Sequence, residues 1–162
     1  MRKLIPFILY LLLIAMHNVI FRDATAIYTA SIDLPGLLVL IVAIYKREIV
    51  ATWFGFAAGL VMAAERPDLF GWHALVLAAL GLAAYHVRER VNLESCYTKL
   101  LLIFSGVLIH NALWLAIYGG KGFMYLFVVS ALTGAAYTTV VGWLFFLFKD
   151  ERITWQKIKA LF

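Results

Sequence analysis

The sequence predicts an all-α integral membrane protein, a six-transmembrane-helix bundle with its N- and C-termini cytoplasmic. Three observations carry that prediction. Of 162 residues, 65% are hydrophobic and only 14% charged, with a mean hydropathy of +0.94; a soluble domain is about half apolar and about a quarter charged. The apolar residues fall into six runs on the scale of a membrane span, divided by short polar turns. The basic residues alternate from turn to turn. No stretch is long and polar enough for a separate soluble domain, so residues 1–148 read as one transmembrane domain and 149–162 as a tail.

The first helix is expected over 4–21. Arg2 and Lys3 before it and Ala24-Thr25-Ala26 after it resemble a signal peptide with its cleavage site. The run is longer than a signal core and is the first of six alike, so it reads as a retained helix. The second helix is expected over 26–45, interrupted in its first half by Asp33 and Pro35, the third over 49–64 and the fourth over 69–87. The fifth is expected over 98–118 and the sixth over 122–148. At about 1.5 Å per residue, about 20 residues cross the hydrocarbon. The third helix is short by that measure and should stand upright, whereas the sixth should tilt or protrude. The alternating polarity of transmembrane strands is absent.

With the N-terminus inside, the inner segments carry Arg2, Lys3, Lys46, Arg47, Arg88, Arg90, Lys99, Lys149, Arg152, Lys157 and Lys159, and the outer ones only Arg22, Arg66 and Lys121. Eleven of the 14 basic residues against three places both ends in the cytoplasm. The same distribution explains the net charge of +5 without nucleic acid as a partner. In the tail, Ile153, Trp155, Ile158, Leu161 and Phe162 can gather on one side among basic residues, which fits either a helix lying on the inner lipid surface or a frayed end. Gly119-Gly120-Lys121-Gly122 lacks the spacing and hydroxyl of a phosphate loop and reads as a tight turn. The single cysteine, Cys96, allows no intrachain disulfide and gives no metal-site spacing.

Two helices carry small residues four apart, hence on one face. In the third helix these are Ala51, Gly55, Gly59 and Ala63; in the sixth, Ser130, Gly134, Thr138 and Gly142. Such faces let another backbone approach closely. The approaching helix can come from within the bundle or from a partner, and both stripes are candidate partner-helix sites. The fourth helix scatters Ala74, Ala78, Ala79, Gly81, Ala83 and Ala84, which would let the hairpin close on the third.

Polar groups are few. His17-Asn18 in the first helix and His110-Asn111 in the fifth lie about 12 to 13 residues from their helix starts, roughly 18–20 Å up, and so share a depth in the outer half of the bilayer. They form either interhelical hydrogen bonds or a small polar pocket for a solute, proton or metal. Asp33 is expected to cap the second helix. His73 and His86 are read as interfacial, and Trp53, Trp72, Trp114 and Trp143 as interface anchors. No nucleophile, paired acids or metal cluster gathers at one depth, so no enzyme, cofactor or metal is expected.

At the third-to-fourth helix hairpin the chain resembles the rod shape-determining protein MreD family. The resemblance rests on Gly55-Phe56-x-x-Gly59-Leu60, a short outer turn, Leu69-Phe70-Gly71-x-x-Ala74-Leu75, the preceding Pro35-x-Leu37-Leu38-Val39-Leu40 run and the basic Lys46-Arg47 loop. One departure is Ala63, where many members carry aspartate; here the acid follows as Glu65. The resemblance implies a non-enzymatic scaffold in the bacterial inner membrane, part of the cell-elongation machinery for peptidoglycan synthesis. Its partner would be an MreC-like single-pass protein, linked indirectly to an MreB-like filament and peptidoglycan synthases. The family is similar in fold to substrate-binding subunits of energy-coupling factor transporters. That implies an alternative, a vitamin-type solute-binding subunit using His17, Asn18, His110 and Asn111.

Overall fold

The computed structural model describes residues 5–21, 31–64, 69–91, 93, 95–118 and 122–149. Every regular element among them is helical, with no strand. The charged turn 65–68, the glycine-lysine turn 119–121, the chain between the first two helices, both termini and the amphipathic tail lie outside the described residues.

Six helical runs follow in order. α1 spans Ile5–Met16 and continues as a π-helical turn over His17–Phe21. α2 spans Leu34–Tyr45, α3 Glu48–Ala63, α4 Phe70–Arg90 and α5 Cys96–Tyr118. α6 spans Phe123–Lys149 and includes a π-helical stretch over Phe127–Leu132. Two of these, α5 and α6, are long and apolar enough to cross a membrane.

α2 is the hub. It is apolar all round, and a helix of that kind belongs inside. Every residue from Pro35 to Ile44 is buried, and the other five helices all touch it. Its start differs from the expected one. Residues 31–33 are not helical, and the helix begins at Leu34. Pro35 accounts for this, since it has no backbone N–H to give and fits the first turn of a helix. Asp33 caps the turn, accepting from the Gly36 N–H at 2.9 Å. At the other end Arg88 Nη1 donates to the carbonyls of Ala43 and Lys46 at 3.1 and 2.7 Å, covering open acceptors of the last turn. That role, with basic residues favoured at a helix C-terminus, accounts for α4 running on to Arg90 beyond the expected 87.

α3 and α4 share the most extensive seam. α1 packs on α3 through Phe7 and Tyr10, whose rings lie 5.9 and 6.2 Å from that of Phe54. The outer surface carries many large apolar side chains: Ile8, Leu9, Ile49, Leu75, Leu101 and Ile109 are all more than half exposed. Among the described residues every lysine and arginine lies at one end of the bundle. There Lys149 Nζ sits 3.5 Å from the centre of the Tyr45 ring and Lys99 Nζ 5.7 Å from it.

A candidate polar cavity and a candidate helix groove

The two small-residue stripes are turned inward. On α3, Ala51 and Ala63 are fully buried, and Gly55 and Gly59 are buried with them. A Cβ on Gly55 would run into the Leu77 carbonyl, and one on Gly59 into the Ala74 Cα and the His73 carbonyl. The α4 backbone already occupies this face, so the expectation that it receives a partner's helix is corrected. The α6 stripe is corrected for the same reason. Gly134 faces the Ser31 carbonyl and the Asn111 amide, and Gly142 faces Leu37 and Ile103. Thr138 is fully buried; its hydroxyl donates to the Gly134 carbonyl at 2.8 Å and accepts from the Asp33 N–H at 3.0 Å. Ser130, half-buried, lines the cavity described next.

The end of the bundle opposite the basic residues holds a cavity of about 450 Å³. Its origin is a mismatch of lengths. α2 has 12 residues, while α4, α5 and α6 have 21, 23 and 27. The hub therefore stops short, and the longer helices wall the space beyond it. His17, Asn18, His110 and Asn111 all line this space, brought together from α1 and α5. Asp33, His73, Trp114 and Tyr118 join them. Both π-helical stretches border it too, through His17 and Asn18 on α1 and Ser130 and Ala131 on α6. Such extra-residue turns recur at functional sites.

A hydrogen-bonded chain runs through the wall. Trp114 Nε1–H donates to His110 Nε2 at 2.9 Å. An indole nitrogen only donates, so His110 Nε2 must accept and Nδ1 must carry the ring proton. Nδ1 lies 2.5 Å from Asp33 Oδ2 and donates to it, while Asp33 Oδ1 takes the Gly36 N–H. The side chains of His110 and Asp33 are only 3% and 7% exposed. Asp33 thus ties α2 to α5 through its side chain and to α6 through its backbone.

The expected cap on α2 is present, but the His110 partnership was not foreseen. The two residues stand 77 apart in the chain, with no sequence pattern to link them. His73 lies in the cavity wall: it is half-buried, and its ring lies 4.2 Å from that of Trp114. Trp114 lies in the same wall, and Tyr118 stacks on it at 5.5 Å and 15°. Trp53 and Trp72 are largely exposed, as anchors would be, and His86 is exposed. Among the described residues no three His, Cys, Asp or Glu gather to hold a metal.

A second space of about 430 Å³ lies between α4 and α5 and is almost wholly apolar. Trp72, Leu75, Ala79, Ala83 and Val87 line it from one face of α4, at helical spacing. Leu102, Ser105, Ile109 and Leu113 line it from one face of α5. The Ser105 hydroxyl donates back to the Leu102 carbonyl at 3.2 Å, so it makes no polar demand on the groove. From Trp72 to Val87 the groove is roughly 22 Å long. His110 lines both spaces and forms the partition between them. Compared with protein-family models, with curated proteins and with solved structures, the chain matches none.

Proposed function

We propose that the chain is a multi-pass protein of the bacterial inner membrane and a non-enzymatic scaffold of the cell-elongation machinery. In this reading it holds the transmembrane helix of an MreC-like single-pass partner, as the resemblance to MreD implies. The membrane placement is supported by the apolar outer surface and the two spanning-length helices. The gathering of described lysines and arginines at one end supports both termini being cytoplasmic.

The observation that carries the scaffold reading is the α4–α5 groove. It has the length of a helix that crosses most of the hydrocarbon, and its α4 wall is lowered by Ala79 and Ala83. Lipid chains are the other possible occupant. The docking residues are therefore those of α4 and α5 in place of the two inward stripes. The test is a photo-cross-linking residue at Ala83, with Val140 on an exposed part of α6 as control. The Ala83 probe should link to the MreC-like partner's membrane helix and the Val140 probe should not. Ala83→Trp should fold and lose the partner. Links to lipid alone, or full partner recovery with folded Ala83→Trp, would end the scaffold reading at this groove.

The polar cavity favours a second reading, a binding subunit for a small solute. Its buried polar groups converge on one space, as ligand sites do. A purified protein that binds no solute, and that keeps its function when His17 and His110 are both alanine, would remove this reading.

A further inference from the structure

We infer that the polar cavity is a site for a small protonated amine, with the Asp33 carboxylate as its counter-charge. The inference rests on the second reading for the cavity being open to solute, and adds the charge of what it takes.

The argument is one of donors and acceptors. The Trp114 N–H fixes His110 as the neutral tautomer protonated at Nδ1. A doubly protonated ring would set two donors against each other at 2.9 Å. Both Asp33 oxygens accept, one from His110 Nδ1–H and one from the Gly36 N–H, which is the pattern of an ionised carboxylate. The Asp33–His110 contact is thus a carboxylate held by a neutral imidazole and carries a net negative charge. A charge buried this deeply is costly without a compensating one. Among the described lining residues there is no lysine or arginine to supply it; His17 acts on Asp33 as a cation only when its ring is protonated.

The remaining lining matches an ammonium group. Asn18, Asn111 and Ser130 offer oxygens that can accept its N–H bonds. A carboxylate or phosphate ligand would meet like charge and no lysine or arginine among the described lining residues. The volume of about 450 Å³ leaves room for a compact organic body beside the charged group. Trp114 is stacked on by Tyr118 and packed against the tilted His73 ring, so it acts as wall and hydrogen-bond donor.

The test uses the full chain in lipid nanodiscs and three probes of one shape: benzylamine, benzyl alcohol and benzoate. Methylammonium serves as a smaller cation. Calorimetry should find the two cations binding, benzyl alcohol at least about tenfold weaker, the worth of one charge-assisted contact, and benzoate not at all. Asp33→Asn should remove the preference for the amine over the alcohol. Because Asp33 also caps α2, Ser130→Leu provides a second arm: it narrows the cavity without touching the Asp33–His110 hydrogen bond and should weaken benzylamine. Preference for the alcohol or benzoate would overturn the charge assignment while leaving a solute site standing. Binding of no probe would overturn the solute site itself. Unchanged benzylamine affinity in a folded Asp33→Asn or Ser130→Leu protein would also overturn the inference.

Discussion

The two sides of α4 make opposite use of the same residue types. Toward α3, Ala74 and Gly81 are buried, and Gly59 and Ala51 answer them from across the seam. Toward α5, Ala79 and Ala83 stay exposed, because α5 answers with Leu102, Ile109 and Leu113. Small residues close a seam only where the facing helix is also low. One side of α4 is sealed backbone against backbone, and the other stands open as a groove. Four in-line small residues on α3 therefore say that a backbone comes close, and say nothing about whose backbone it is.

The largest effect should come from breaking the sealed side. Gly59→Leu puts a branched side chain where the α4 backbone already lies. Overpacking usually costs about 1–3 kcal/mol, and more where backbone must move. The expected outcome is loss of the monodisperse peak on size exclusion in mild detergent. A folded Gly59→Leu protein would mean that the seam can open and that the two sides of α4 are alike in this respect. Next comes the polar end. Asp33→Ala removes a charge-assisted hydrogen bond to His110 together with the α2 cap, and should cost about 2–4 kcal/mol in reversible unfolding. A loss under about 1 kcal/mol, the scale of a single hydrogen bond, would show that Asp33 does not tie the helices together.

The smallest effect sharpens the comparison. Gly71 belongs to the same glycine-rich hairpin as Gly55 and Gly59, yet a Cβ there meets nothing within 4 Å. Gly71→Ala in the first turn of α4 should leave stability unchanged or raise it by up to about 1 kcal/mol. A clear loss in thermal unfolding would place an unseen neighbour beside it.

Much of the helical layout was legible in sequence because long apolar runs punctuated by charge leave few alternatives. All six helices end within a few residues of where the pattern puts them, and five also begin there. The start of α2 was missed: apolar residues before Asp33 look helical by composition, whereas Pro35 and the aspartate cap set the boundary locally. His17, Asn18, His110 and Asn111 could be placed at one depth from helix rise alone, and they do line one cavity. Their shared wall with Asp33, His73 and Trp114 could not be read, since depth does not say which helix faces which. The groove was hidden for the same reason. The alanines of α4 carry no mark to separate those facing α3 from those facing outward, and only the bulk of α5 decides it.

The short central helix has one further consequence. On the membrane reading, α2 is screened from the acyl chains on all sides, so only the ring of longer helices must match bilayer thickness. Thicker or thinner lipid would tilt that ring while the hub stays put, changing the headroom above Asp33. Occupancy of the space over the hub would then vary with acyl-chain length, a control exerted by the solvent of the protein and by none of its side chains.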